Sequence, residues 1–167
     1  AWRSTIFQLA PEQPQAKISK QHRVLLFSLF TGYEHWVIPH VNEVFEILGN
    51  KSNLYQTTVS TNITMFKKIN IKRYDAIILN NNCSVGDRRN LFYDALSPDS
   101  LLSERRRLNK AKHLEENLIA FVKKGGGLAI IHGGIVMQNN SAEFSRMVGG
   151  SFDYHPPQQE IEVVPVD

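Results

Sequence analysis

The sequence predicts an α/β domain in which helices cover both faces of a mainly parallel sheet. Three apolar runs of strand length, at 24–30, 76–79 and 128–131, are almost uninterrupted by polar residues. Such runs are typical of strands that are buried on both faces. Amphipathic helical patterns separate the runs along the chain, and this alternation is the one that produces parallel strands. The predicted architecture therefore has three layers.

The first apolar run, Val24–Phe30, leads into a turn and then a helix. After the turn at 31–35, apolar residues recur at three- and four-residue steps, which places them on one helix face. The members of this face are Val37, Val41, Val44, Phe45 and Leu48. Pro39 suits the first helical turn, where its missing N–H has no partner. We expect Gly49-Asn50 to end this helix.

The middle of the chain contains two further strands and an irregular region. A mostly polar strand is expected at 54–59, and the segment 63–69 is either a helical turn or a loop. The apolar run 76–79 follows and is closed by three asparagines, Asn80–Asn82. Residues 84–103 carry turn signals, so we expect them to form an excursion.

The second half begins with the most regular pattern of the sequence. Apolar residues at 108–122 predict a helix of roughly 20 residues. It ends at Lys123-Lys124 and Gly125, since cations and glycine are typical of a helix C-terminus. The glycines 125–127 follow a helix and open a strand, whereas a phosphate-binding loop has the opposite order.

Two shorter elements are predicted after the strand at 128–131. Asn140 and Glu143 have the spacing of a capping box, which predicts a short helix that ends at Gly149-Gly150. Residues 161–165 alternate in polarity and predict a half-exposed edge strand.

Length and composition fit one ordinary globular domain. The chain has 167 residues, of which 42% are hydrophobic and 21% charged, and its net charge is only +3. A dedicated nucleic-acid-binding protein is not expected from so small an excess, part of which lies in Arg105–Arg107 on one helix. The single cysteine, Cys83, excludes an internal disulfide and any multi-cysteine metal site. No apolar run is long enough to span a membrane.

The first 21 residues differ from the rest. They are polar, contain Pro11 and Pro14 and show no sustained period, so we interpret 1–21 as a peripheral arm and 22–167 as the domain. The compartment stays open between cytoplasm and periplasm or export, because a removed signal peptide would leave no trace.

Three of the six histidines are candidates for a site. In open α/β sheets, ligands bind beyond the carboxyl ends of the strands. His35 follows the first apolar run, His132 lies at the tip of the third, and His155 comes after the short helix that follows. The other histidines, His22, His40 and His113, precede a strand or lie on helices, and are interpreted as structural.

Three groups of residues at these strand ends can be interpreted structurally as well as functionally. His132 is followed by Gly133-Gly134, where glycines allow a sharp turn and a close backbone approach. Asn80–Asn82 could bind a hydroxyl-rich ligand or serve only as turn residues. Cys83 lacks the flanking glycines of a nucleophile and is interpreted as a buried thiol without catalytic role.

Taken together, these segments resemble the ThuA-like domain of trehalose utilisation over residues 23–167. The resemblance rests on four motifs in this order, namely 23–35, Tyr74-Asp75-Ala76-Ile77-Ile78-Leu79-Asn80, 125–134 and 148–156. It implies a flavodoxin-like sheet related to class I glutamine amidotransferases. Members usually continue beyond the His-Pro motif, so the domain is expected to be incomplete at its C-terminus. The resemblance also implies a carbohydrate substrate and a sugar oxidoreductase in the same pathway.

Glutamine hydrolysis is not expected despite that relationship. Amidotransferases need a cysteine at the elbow that follows a strand, whereas the elbow-like position here holds His132. The predicted catalytic residues are therefore His35, His132 and His155. Five neighbours are predicted to bind the substrate, namely Glu34, Asn80, Tyr154, Gly133 and Gly134.

Two mechanisms fit three histidines at one sheet edge. His35, His132 and His155 could hold a divalent metal such as zinc, which would activate a water molecule. Alternatively, one histidine acts as a general acid–base on a sugar hydroxyl or carbonyl while the others bind hydroxyls. The predicted function is a hydrolase or isomerase acting on trehalose or a related, oxidised sugar. The alternative is a non-catalytic sugar-binding or accessory domain, and either could form a homo-oligomer.

Overall fold

The computed structural model describes residues 2–14, 19–85 and 89–165 and contains one four-stranded sheet. Its strands are β1 (His22–Phe27), β2 (Tyr55–Ser60), β3 (Ala76–Asn80) and β4 (Gly127–Ile131). They are ordered β2-β1-β3-β4, and every neighbouring pair is parallel. Leu25 lies opposite Thr58 on one side and Ile77 on the other. The predicted flavodoxin-like α/β layout is confirmed.

Helices follow the strands as the periodicity predicts. Six α-helices are described: α1 (Trp2–Leu9), α2 (Ile38–Ser52), α3 (Lys68–Ile71), α4 (Leu91–Leu96), α5 (Glu104–Lys123) and α6 (Ala142–Val148). Two 3₁₀ turns span Ile63–Phe66 and His132–Val136. Thus 63–69 is largely helical, and the excursion at 84–103 contains α4, with 86–88 outside the described residues. None of the described helices combines the length and apolarity that crossing a membrane requires.

Alternate residues of the central strands pack into two cores on opposite faces of the sheet. Leu25 and Phe27 of β1 point into the larger core, which α4, α5 and α6 cover. Val24 and Leu26 point to the other face, where Phe45 of α2 packs against them. Since successive side chains of a strand alternate between faces, an uninterrupted apolar run is what both cores require.

The end of α2 differs from the prediction. The helix continues through Gly49 to Ser52, and Asn53 adopts the left-handed conformation that ends it (φ 55°). Gly49 has a packing role instead, because a Cβ there would lie 2.7 Å from Cε2 of the Tyr55 ring. The glycine therefore marks a close approach of α2 to β2 and not a helix terminus.

The start of α6 lies one residue later than predicted. Ser141 is the N-cap, and its hydroxyl accepts a hydrogen bond from the Phe144 N–H at 3.1 Å. Glu143 does not close a capping box on Asn140; its carboxylate accepts a hydrogen bond from Lys123 at the end of α5 (2.6 Å). Asn140 is therefore wrong as the cap, because the neighbouring serine fills that position.

The predicted edge strand at 161–165 is wrong. Residues 151–165 have no regular secondary structure, and Ile161 and Val163 are 75% and 79% exposed. Alternating polarity selects a strand only where a neighbouring strand supplies backbone partners and one face is covered. The described part of the chain supplies neither to this segment.

The N-terminal segment, in which the sequence shows no sustained period, contains helix α1. Helix α1 packs on α2, with the Trp2 ring 4.0 Å from the His40 ring and Arg3 2.9 Å from the Glu43 carboxylate. Lys51 of α2 donates to the carbonyls of Phe7 (2.8 Å) and Ala10 (2.7 Å) at the C-terminal end of α1. An eight-residue helix is marginal by itself, so these tertiary contacts stabilise it.

We expect Lys51→Met to release α1 from the domain while leaving the sheet folded. The Lys51 side chain is only 5% exposed and also pairs with Glu12 at 2.7 Å. Each charge-assisted hydrogen bond of this kind contributes up to about 3 kcal/mol to stability. Limited proteolysis should therefore cleave residues 1–21 faster, with little change in cleavage of the sheet. Lys112→Met on α5, an exposed lysine, is the matched control, and equal cleavage of both variants would contradict the role of Lys51.

Candidate functional site

The sheet order places three strand ends around one crevice. Strand β1 lies between β2 and β3, so the chain adds β2 on one side of β1 and β3 on the other. Open α/β sheets bind ligands at the carboxyl edge where the strand order reverses in this way. The segment after β1 carries His35, the segment after β3 carries Cys83, and the turn after β4 carries His132. Since the strands are parallel, all three segments meet at the carboxyl edge of the sheet.

A cavity of about 600 Å³ opens at this edge. That volume is within the range of pockets for small molecules. Its lining residues are Tyr33, His35, Trp36, Cys83, Ser84, Arg89, His132, Gly133, Ile135, Val136, Phe152 and His155. The structure thus brings the three histidines singled out in the sequence into one cavity.

His35 and His132 are in ring contact with each other. Their ring centroids are 4.7 Å apart and the ring planes are nearly perpendicular, at 84°. Burial lowers the pKa of His35 below its usual 6.5, and positive charge on His132 and His155 lowers this pKa further. His35 is therefore held as the neutral imidazole at pH 7, the form that accepts a proton.

His155 reaches the cavity from the segment after α6. Its ring stacks on Phe152, with centroids 4.9 Å apart, and its side chain is exposed. Asn139 fixes this segment, because its side chain accepts from the Phe152 N–H (2.9 Å) and donates to the Phe152 carbonyl (2.6 Å).

His132 occupies a strained elbow between β4 and the following 3₁₀ turn. Its backbone has a φ of 45°, which is uncommon for a residue with a side chain. The strand–elbow–turn geometry is that of a nucleophile elbow, with an imidazole in place of a thiol or hydroxyl. Such strain persists only where the surroundings hold it, and it concentrates at functional sites.

The elbow packs directly on the segment after β3. A Cβ added at Gly133 would lie 2.6 Å from the Cys83 sulfur, and one at Gly134 would lie 2.7 Å from the Leu79 carbonyl oxygen. Both glycines are buried, and Gly133 also lines the cavity. The two glycines are therefore required by close approach, which brings His132 against His35.

Comparison with known proteins identifies the family. The model of the ThuA family, described as trehalose utilisation, matches residues 23–167. The chain belongs to the ThuA family. Searches of curated proteins and of solved structures found no match. The family's description connects the protein with trehalose utilisation, and the match includes all three cavity histidines.

Cys83 is not placed as a nucleophile in this ThuA-family protein. Its side chain is buried, and burial raises the pKa of the thiol. Its carbonyl accepts hydrogen bonds from the N–H groups of Thr31 and Gly32, both at 2.9 Å. Cys83 therefore connects the segments after β1 and β3, and its thiol stays protonated at neutral pH.

The asparagines after β3 lie behind the cavity wall. Asn80 is fully buried, and its amide donates to the Ile38 carbonyl (3.2 Å) and the Asn42 side chain (2.9 Å) at the start of α2. Asn82 donates to the carbonyls of Phe27 and Leu29. These bonds hold the segment that carries His35 and Trp36, so Asn80 has a positioning role rather than contact with the cavity.

Three other predicted substrate-binding residues, Glu34, Tyr154 and the buried Gly134, lie outside the lining. Glu34 and Tyr154 are both exposed, and Tyr154 is 69% exposed beside His155. Neither is among the residues that enclose the cavity.

Four lining residues that matter here were not singled out in the sequence: Tyr33, Trp36, Arg89 and Phe152. Trp36 could have been predicted as a site residue, because it directly follows the candidate His35 in sequence. Arg89 lies in the excursion at 84–103 and Phe152 in the segment after α6, where no periodicity fixes a position.

The zinc site stays a prediction for this family member. Among the described residues, no group of three or more histidine, cysteine, aspartate or glutamate side chains is arranged to hold a metal ion. The perpendicular rings of His35 and His132 instead contact each other edge to face. Metal analysis of the purified protein, with His132→Ala for comparison, tests this prediction.

A larger depression, of about 830 Å³, lies at the opposite edge of the sheet. It adjoins the amino end of β1 and the C-terminus of α5, and its rim includes Lys68, Lys72 and Lys124. It contains none of the cavity histidines. Because ligands of open α/β sheets bind at the carboxyl edge, we place the site at the smaller cavity.

Proposed function

We propose that this ThuA-family protein binds a sugar, trehalose or a related oxidised sugar, in the cavity and processes it as a hydrolase or isomerase. The observation that carries the proposal is the ring contact between His35, which is held neutral, and His132 in a cavity that is also lined by aromatic residues. The sugar oxidoreductase and the homo-oligomer expected above stay predictions.

The aromatic residues of the lining support a sugar ligand. Trp36 is 77% exposed and Tyr33 is 68% exposed, although both are large aromatic residues beside a cavity. Exposed apolar surface around a pocket is typical of a binding site. A sugar ring has one face of C–H groups that packs on an aromatic ring and a perimeter of hydroxyls that needs hydrogen-bond partners. The three histidines line the same cavity and can supply such partners.

The histidine pair supports acid–base chemistry. A neutral His35 can accept a proton from a sugar hydroxyl or from a water molecule, and His132 can return a proton to the oxygen that gains electron density. In hydrolysis the water that gives its proton to His35 bonds to the anomeric carbon, the bond from that carbon to the leaving oxygen breaks, and the leaving oxygen takes the proton from His132. In isomerisation His35 instead takes the proton of the carbon beside the carbonyl, the C–H electrons form the C=C bond of an enediol, and the carbonyl oxygen takes the proton from His132. Return of a proton to the former carbonyl carbon and loss of the neighbouring hydroxyl proton then give the isomer. General acid–base catalysis of this kind contributes about 100- to 10 000-fold in rate.

Sugar binding is tested by titrating the protein with trehalose, glucose and their oxidised derivatives while intrinsic fluorescence is recorded. The chain has two tryptophans, so Trp2→Ala leaves Trp36 as the reporter and serves as the control. We expect Trp36→Ala, whose affinity is measured by calorimetry because it lacks the reporter, to weaken binding roughly tenfold, a loss of about 1.4 kcal/mol, which is what roughly 55 Å² of apolar contact contributes.

Turnover is followed in the same panel by product analysis. Binding with turnover supports the proposal, and binding without turnover in any assay favours the accessory sugar-binding domain. No binding of any sugar would contradict both.

A further inference from the structure

We propose that the sugar bound here carries an anionic group, a carboxylate or a phosphate, and that Arg89 binds it. This inference rests on the proposed sugar site and specifies the class of sugar. The described cavity lining contains one arginine and three histidines and no carboxylate. A site with that balance favours a negatively charged ligand over its neutral counterpart.

Among the described residues, the Arg89 guanidinium is held by backbone carbonyls and an aromatic ring and not by a carboxylate. Its Nη1 donates to the carbonyls of Phe152 (3.2 Å) and Asp153 (3.4 Å), and its Nη2 donates to the Asp153 carbonyl (3.4 Å). The group also lies 5.1 Å from the Phe152 ring centroid. Within the described parts of the chain, no carboxylate forms an ion pair with it.

Donors are left for a ligand. A guanidinium has five N–H groups in a planar fork, and the three carbonyl contacts use at most three of them. Carboxylate and phosphate oxygens match that fork, and hydrogen bonds between charged partners are about twice as strong as neutral ones. Arg89 is only half-buried, so an anion can reach it from the cavity.

The position of Arg89 also orients the ligand. Phe152, on which Arg89 packs, also contacts the His155 ring, whereas His35 and His132 form a separate ring pair. An anionic group at Arg89 therefore lies beside His155, with the sugar ring directed toward the His35–His132 pair. Of the acidic residues in the described segments beside the cavity, Glu34 and Asp153 are exposed and do not line it.

The test compares matched ligands by calorimetry: glucose against glucuronate, gluconate and glucose 6-phosphate. We expect the anionic sugars to bind at least tenfold more tightly than glucose. Arg89→Gln should weaken their binding about 10- to 100-fold and change glucose binding less than about twofold, since a hydrogen bond to a charged group contributes roughly 1.5–3 kcal/mol. Glucuronate against glucose 6-phosphate distinguishes carboxylate from phosphate as the preferred group.

Two controls separate the charge of Arg89 from its structural contacts. Asn139→Ala loosens the Phe152 segment but keeps the arginine, so it should not reproduce the loss of anion selectivity. Arg73→Gln removes a positive charge at the opposite edge of the sheet and should leave binding unchanged. In the unmodified protein, added salt should weaken binding of the anionic sugars and not of glucose.

Equal affinity for glucose and the sugar acids, unaffected by Arg89→Gln, would overturn the anion inference and leave the sugar site standing. Equal loss of selectivity in Asn139→Ala and Arg89→Gln would overturn it too, because the arginine would then act only through the loop. Absence of binding for every ligand of the set would overturn the sugar site itself.

Discussion

Replacing His35 by glutamine is expected to lower kcat about 100- to 10 000-fold, with a much smaller change in sugar affinity. Glutamine keeps hydrogen-bonding capacity and similar size but cannot take up a proton. The half-buried position of His35, in ring contact with His132, is what assigns it the proton-accepting role. The measurement is steady-state turnover of whichever sugar the binding panel identifies, alongside its Kd by calorimetry.

The pH profile of kcat/KM gives the same prediction a second readout. Because the pKa of His35 is lowered from 6.5, its neutral form is already dominant at pH 7. Activity should therefore fall on acidification through a pKa below 6.5, and this acidic limb should disappear in His35→Gln. Between the pKa of His35 in the folded protein and its usual 6.5 in the unfolded chain, the unfolded chain binds more protons. The free energy of unfolding should therefore also fall as the pH is lowered through this range.

His113→Gln is the matched control, because this exposed histidine on α5 contacts only Glu116 among the described side chains. It should retain full turnover and the acidic limb. If His35→Gln kept both turnover and the limb, another histidine would have to be the base.

The strands could be predicted from sequence because their environment leaves a direct signal. Leu25 and Phe27 face one core while Val24 and Leu26 face the other, so each position must be apolar. Helix α1 left no comparable signal. Its stability comes from Lys51 and other contacts of α2, which lie about forty residues away in sequence.

The site could be predicted in part for a related reason. The carboxyl ends of parallel strands share one sheet edge, so His35 and His132 could be placed together without knowledge of any loop. Arg89 and Phe152 could not, because their positions depend on how two irregular segments pack on each other. The sequence predicts Asn80 as a substrate-binding residue, whereas in the structure its amide donates to the Ile38 carbonyl at the start of α2. The sequence does not tell which of these two directions an amide at a strand end takes.

Substituting Gly133 by alanine is expected to destabilise the elbow and to reduce activity together. The new methyl carbon would lie 2.6 Å from the Cys83 sulfur and 3.4 Å from Nε2 of His35, inside the cavity. Overpacking of this kind costs about 1–3 kcal/mol, and here the displaced atoms adjoin the His35–His132 pair. Urea unfolding measures the loss of stability, and turnover of the identified sugar measures the displacement of His35.

Cys83→Ala should rescue Gly133→Ala, because without the sulfur the closest remaining atoms are at 3.4 and 3.5 Å, where van der Waals contact is ordinary. The double variant should be more stable than the sum of the single variants predicts, by about 1–2 kcal/mol, within the range of coupled neighbours. Gly134→Ala is the contrasting case: its methyl would lie 2.7 Å from the Leu79 backbone oxygen, so Cys83→Ala leaves the clash in place. Strict additivity for both glycines would mean that the sulfur does not set the position of His132. Rescue of Gly133→Ala alone assigns Cys83 the role of a spacer beneath the elbow, which explains a buried thiol at this cavity without assigning it chemistry.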